Sequence, residues 1–193
     1  MTFVAGFYSF NLDIVDASSN RYESVRVKIP RHPEETEAYL HARVLAYAHA
    51  YREGLEFSPG LFEPKAPTFF ASDLFGNTTR WIQLGAPEKE KIQKMLRHHK
   101  EAECSVYFLN WQQVDKFCHY LRGSTSNWVA PVRCYLLDEG FLEASGELLQ
   151  SSSRWSLNFI DGSVFAVING SEFETTVETV DIWERFQQTI ANA

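Results

Sequence analysis

Glu35 is the carboxylate whose neighbours most invite a chemical reading, because it stands inside Arg31-His32-Pro33-Glu34-Glu35-Thr36, just ahead of an apolar-periodic stretch. Pro33 suits the first turn of a helix, and the positive end of the helix dipole favours Glu34, Glu35 and Glu37 there. A carboxylate in that place either stabilises the helix or belongs to a site. Arg31 and His32 can reach Glu35 or hold an anion at the exposed amides, with capping and packing as their simpler roles. Arg80 followed by Lys89, Lys91, Lys94, Arg97 and Lys100 outnumbers Glu88 and Glu90, which suits a phosphate-facing patch or an ordinary solvated helix face. His98 and His99 are adjacent, cannot turn to one metal from one helix surface, and give no zinc site. Trp81, Trp111, Trp128 and Trp155 begin apolar periodic segments, so they read as core or rim rather than as stacking platforms for bases. Ser124, Thr125 and Ser126 follow Gly123 without a partnered His-Asp pattern or a nucleophile elbow, and no serine hydrolase is read from them.

These groups need a scaffold, and 193 residues with 45% hydrophobic and 15% aromatic content supply one well-filled domain over 1–193. A formal net charge of -7 argues against a protein that blankets nucleic acid or an anionic membrane. Met1-Thr2-Phe3-Val4-Ala5 carries no basic leader, and no run approaches the roughly 20 apolar residues of a membrane helix, so a cytoplasmic protein is expected. Cys104, Cys118 and Cys134, odd in number and set among apolar residues, read as buried reduced thiols.

Alternation of Tyr8, Phe10, Leu12 and Ile14, then of Val25, Val27 and Ile29, around the turn-rich Asp16-Ala17-Ser18-Ser19-Asn20 predicts a β-hairpin with one wet face. A helix is predicted from Pro33 to Glu53, ended by Gly54, with Leu40, Val44, Tyr47 and Tyr51 as its apolar stripe and Glu34, His41 and Arg52 on another side. Further on the pattern predicts strands at 55–57, 81–84, 105–109 and 128–136, and helices at 88–97, 111–121 and 138–149. Pro131 marks an edge or bulge in the last of those strands. Asp161-Gly162 and Asn169-Gly170 punctuate alternations at 155–160, 164–168 and 173–180, which predicts a C-terminal meander of tight hairpins. Strands alternating with helices between two antiparallel ends make an α/β domain with a mixed sheet flanked by helices.

The succession of hairpin, Arg31-His32-Pro33 with Glu35-Thr36, the Gly60-Leu61 loop, Trp81-Ile82 with Gly85 and Pro87, and a Lys94-bearing helix resembles the YaeQ family across nearly the whole chain. The resemblance implies the restriction-endonuclease-like three-layer fold of the PD-(D/E)XK superfold. In that superfold clustered carboxylates hold Mg²⁺, the metal activates water, and a lysine steadies charge on the scissile phosphate. Carried over residue by residue, the helix glutamate is Glu35, the acid after proline falls on Thr68 behind Pro67, the strand acid on Gln83, and the lysine on Lys94.

Two of the expected acids are thus neutral, while Mg²⁺ asks for hard anionic oxygens and gives up water reluctantly. Asp73 offers a substitute acid or a simple turn residue. The leading expectation is a degenerate nuclease with no cofactor, acting as a binding or interaction module for an unidentified protein or nucleic acid, without membrane attachment. One alternative is an Mg-dependent nuclease in which Glu35 and Asp73 hold the ion and Lys94 contacts phosphate. Another is a non-cleaving nucleic-acid-binding protein that uses Arg80, Lys91, Lys94 and Arg97, with weak affinity given the acidic chain.

Overall fold

The computed structural model describes residues 6–58, 63, 65–124 and 126–191, so the Gly60-Leu61 loop and Thr125 lie outside the described residues. The fold is a mixed α/β arrangement with five α-helices among the described residues. It divides into two compact units interleaved in sequence, one made of residues 1–52, 59–66 and 138–177, the other of 53–58, 67–137 and 178–193.

In the first unit, strands β1 (Gly6–Asp16) and β2 (Arg21–Arg31) form the expected antiparallel hairpin. Strand β8 (Ser152–Ile160) lies parallel to β1 on its other side, followed by β9 (Ser163–Ile168) and β10 (Ser171–Thr179) as an antiparallel meander. Its turns use Asp161 at φ 48° with Gly162 at 87°, and Asn169 at 51° with Gly170 at 91°, the left-handed pairs a two-residue hairpin turn needs. Phe10, Leu12, Ile14, Trp155, Leu157, Val164, Ala166 and Ile168 fill one face of this sheet.

Helices α1 (Glu37–Ala50) and α4 (Glu139–Gly146) belong to the same unit. They meet so closely that a Cβ on Gly146 would stand 3.0 Å from the Ala38 amide nitrogen. The helix α1 starts later than expected: Pro33 and Glu34 make a turn closed by the Glu35 amide on the His32 carbonyl at 2.9 Å, and Thr36 is the N-cap, its hydroxyl accepting from the Tyr39 amide at 3.1 Å. Thr36 is extended at φ -71°, ψ 160°, and a hydroxyl in that geometry is a better helix start than a proline followed by acids. Glu37 alone occupies the acidic first turn, and Glu34 and Glu35 precede the helix.

At its other end α1 stops at Ala50, where the Arg21 guanidinium donates to the carbonyls of His49 at 3.1 Å and Tyr51 at 2.8 Å. Buried residues run round the whole circumference of α1, His41 and Arg43 among them, so the expectation of a single apolar stripe with His41 on another side is corrected. His41 finds its partners in the unit's interior. His41 Nδ1 meets Ser145 Oγ at 3.1 Å, and its ring stands edge-on to Trp155 at 4.8 Å.

The second unit carries strands β3 (Glu56–Phe57), β4 (Phe69–Ser72), β5 (Thr78–Leu84), β6 (Glu103–Phe108) and β7 (Val132–Leu137). Strands β3, β4 and β5 pair antiparallel, whereas β5, β6 and β7 are parallel. Its helices are α2 (Lys89–His98), α3 (Trp111–Cys118) and α5 (Ile182–Ala191). Parallel strands leave both faces to be covered, and their run of apolar residues (Cys104, Val106, Phe108, Cys134, Leu136) packs with Ile92, Met95, Phe117, Ile182 and Phe186. The strand expected from Trp128 begins only at Val132, because residues 127–130 form a turn ahead of Pro131, whose ring lacks the donor a ladder needs. All three cysteines are free and buried, as expected, and burial pushes Cys104 up to about 12 and Cys118 to about 11.

Candidate functional site

Glu35 is 3% exposed and fully occupied by its own unit. The Arg43 guanidinium donates to its two carboxylate oxygens at 3.0 and 3.3 Å, and the His32 amide donates to Oε2 at 3.1 Å. Arg43 also donates to the Pro30 carbonyl at 2.9 Å, tying the end of β2 to α1 through the same carboxylate. Arg31 lies beside this pair and secures the chain entering α1: its Nε donates to the Glu35 carbonyl at 2.8 Å and its Nη2 to Glu37 at 2.7 Å. His32 Nδ1 accepts from the Glu34 amide at 3.2 Å. Arg31 thus braces the chain entering α1, and His32 supports the turn before it.

Thr68, Gln83 and Lys94 belong to the second unit. Thr68 precedes β4, is buried, and its Oγ1 accepts from the Leu84 amide at 2.9 Å, while its own amide donates to the Ile82 carbonyl at 2.9 Å. These bonds place it beside the C-terminal end of β5, where Gln83 sits. Gln83 Oε1 accepts from Lys91 Nζ at 2.8 Å and its Nε2 donates to the Leu84 carbonyl at 2.8 Å. The lysine that reaches this edge is thus Lys91, whose ammonium also lies over the Trp81 ring at 5.7 Å. Burial brings Lys91 down to about 8. Lys94, one turn further along α2, is exposed.

Asp73 heads a turn at the tip of the β4–β5 hairpin. Its Oδ1 accepts from the amides of Phe75 at 2.9 Å and Asn77 at 2.8 Å, and its Oδ2 from the Asn77 side chain at 2.9 Å, so the whole carboxylate serves the turn. The Asn77 side-chain amide is the main reason its carboxyl is held below the usual range. The basic residues around α2 are divided among local partners: Arg80 pairs with Glu103 at 3.1 Å, Lys89 lies over Trp128 at 5.9 Å, and Arg97 donates to the Gln93 carbonyl at 3.2 Å. Trp81 and Trp155 are core residues and Trp128 lies against the core, whereas Trp111 is 44% exposed beneath the Arg185 guanidinium.

Among the described residues, no three His, Cys, Asp or Glu side chains gather where one metal ion could be held. No helix among them is long and apolar enough to cross a membrane. Two residues matter here that the sequence did not single out in these roles, Arg43 as the counter-charge of Glu35 and Lys91 as the partner of Gln83. Arg43 lies eight positions from Glu35, across the start of the helix, and no local pattern announces that pairing.

The sequence pattern of the YaeQ protein family matches residues 1–177. The chain belongs to the YaeQ family. It is 24% identical over 170 residues to the YaeQ protein of Salmonella typhi, covering 86% of this chain and 90% of that protein. With the YaeQ protein of Escherichia coli (strain K12) it shares 26% identity over 125 residues, 61% of this chain and 68% of that one. Among solved structures, the YaeQ protein from Xanthomonas axonopodis pv. citri superposes with a TM-score of 0.82 at 24% identity, over 91% of this chain and 98% of the other. The YaeQ protein from Pseudomonas syringae gives 0.78 at 26% identity, over 92% and 96%. Family likeness thus reaches across both units, whose chain segments are interleaved within the matched residues.

Proposed function

We propose that this YaeQ-family chain is a single domain of the restriction-endonuclease-like, PD-(D/E)XK superfold whose metal site has been dismantled, and that it serves in the cytoplasm as a binding or interaction module without a cofactor. One observation carries the reading: every group at the positions corresponding to the superfold's acids is spent on its own unit. Thr68 Oγ1 caps the Leu84 amide, Gln83 Oε1 holds Lys91, and Glu35 neutralises Arg43. The substitute acid Asp73 is consumed by its turn. A divalent ion at such positions would meet a neutral hydroxyl and a neutral amide in place of carboxylates. An Mg-dependent nuclease built on Glu35, Asp73 and Lys94 would first have to break these bonds.

The partner is an unidentified protein or nucleic acid. Exposed Lys94 and Arg97 favour a polyanion as the second reading, limited to weak and salt-sensitive binding by the acidic chain. Purified protein incubated with plasmid, single-stranded DNA and RNA in Mg²⁺ or Mn²⁺ is expected to leave all three intact. Cleavage abolished by Glu35→Ala, in a variant shown to remain folded, would overturn the reading. The companion measurement is calorimetric: Thr68→Asp with Gln83→Glu restores two acids and is expected to create divalent-ion binding that raises thermal stability. A folded double variant with no gain in ion affinity would remove Thr68 and Gln83 from the acid positions.

A further inference from the structure

The face of the five-stranded sheet opposite the Phe10–Trp155 core mixes polar side chains with the exposed Phe165 and Val167 of β9, and it holds a depression of about 530 Å³ lined by Asn11, Asp13, Ser24, Arg26 and Arg154, with Leu12 and Val25 between them. The strand β1 is central here, with β2 on one side and β8 on the other. Register sets Asn11 opposite both Arg26 and Arg154, and sets Asp13 opposite both Ser24 and Ser156. Neighbouring strands lie about 4.8 Å apart, so two guanidinium-bearing side chains rise about 10 Å apart at their base, with an amide between them. Long arginine side chains close that gap readily and present forked donors suited to an oxyanion.

The two arginines are held differently. Asp13 accepts the Ser24 hydroxyl at 2.8 Å and stands 3.6 Å from Arg154 Nε, so a Ser24–Asp13 pair leans one guanidinium over the depression. The Arg26 side chain is exposed, and its guanidinium makes no hydrogen bond or ion pair with the side chains or carbonyls of the described residues. Three donor groups, those of Arg26, Asn11 and Arg154, thus border one concavity that nothing in the unit fills.

We propose that this depression binds the carboxylate of a small organic acid. Charge decides the class of ligand. Two arginines against one aspartate leave the site with one net positive charge, which a single-charged oxyanion neutralises, whereas a dianion over-compensates and faces Asp13. A polyanion lying along the sheet would also meet Glu172 and Glu174, which are exposed on the same face of β10. The volume leaves space for an organic body beyond the carboxylate itself. This site rests on the first unit's own residues and stands or falls independently of the nuclease-superfold reading.

The test is an amide-resolved NMR titration of the full chain with propionate and, separately, with inorganic phosphate at mildly alkaline pH, where phosphate is mostly dianionic. Propionate is expected to give saturable shifts at the Asn11, Ser24 and Arg154 amides and to bind more tightly than phosphate. Arg26→Gln removes a partnerless surface charge, should fold normally, and is expected to lower propionate affinity about tenfold or more. Asp13→Asn adds one net positive charge and is expected to turn the preference toward phosphate. Shifts that never saturate, an unchanged titration in Arg26→Gln, tighter phosphate binding by the parent chain, or an unaltered preference in Asp13→Asn would each overturn the proposal.

Discussion

Glu35 and Arg43 are each about 1% exposed at the side chain, and a charge so placed tolerates loss of its partner badly. Glu35→Ala leaves a buried guanidinium without its carboxylate and is expected to cost about 3–5 kcal/mol in urea denaturation, whereas Glu35→Leu combined with Arg43→Met should recover most of that loss. Equal losses in the single and double variants would show that the ion pair is not what holds the chain there. A second buried group gives the protein an acid sensitivity. Burial brings His41 down to about 4 from an ordinary 6.5, because its ring is enclosed by Trp155, Phe10 and Ser145. Between those two values the unfolded chain holds a proton that the folded chain refuses. Stability is therefore expected to fall as pH drops from about 6.5 toward about 4 and to lose this dependence below that. His41→Phe should flatten the slope in that window when midpoints are compared across pH; an undiminished slope would assign it to other groups. Glu35 was legible in the sequence as a notable carboxylate, but its neutralisation by Arg43 was not, since it depends on a turn that folds back upon the helix.

The close approach of α1 and α4 at Gly146 is the element-scale constraint most open to test. A Cβ there would stand 3.0 Å from the Ala38 amide nitrogen and 3.3 Å from its Cα, both rigid backbone atoms. Gly146→Ala is expected to destabilise by about 1–3 kcal/mol by forcing the helices apart, even though alanine is the better helix former. A stabilised variant would mean the contact is soft. The hairpins at both ends of the chain were legible because alternation with period two and left-handed turn dipeptides are local signals. The start of α1 was misread because proline and acids outweighed the Thr36 hydroxyl. Helix α5 went unread although Ile182, Trp183 and Phe186 stand at helical spacing within its ten residues, a signal the sequence reading passed over. The parallel pairing of β1 with β8 joins residues 9–16 to 152–159, and no local pattern encodes a partner so distant. The same limit applies at the candidate site, where Gln83 was correctly noted on a strand but the choice of Lys91 over Lys94 depended on how α2 is rotated.

At the scale of the molecule, the order of segments along the chain sets a timetable. Within this chain the β1–β2 hairpin and α1 leave the ribosome well before their partners, since the strand that pairs with β1 and the Trp155 that packs on His41 arrive some 140 and 110 residues later. In between comes most of the second unit, residues 67–137. The nascent hairpin must therefore wait with the β1 edge unpaired, a state in which strands readily join the wrong neighbour. Chains released after Leu137 are expected to leave the hairpin and α1 open to protease, and protection there should appear only once residues through Val177 have emerged. Early protection in a series of stalled chains would show that the hairpin and α1 stand alone. For an organism making this protein, vulnerability then belongs to the period of synthesis, when a segment made before most of the others is among the last to be sheltered.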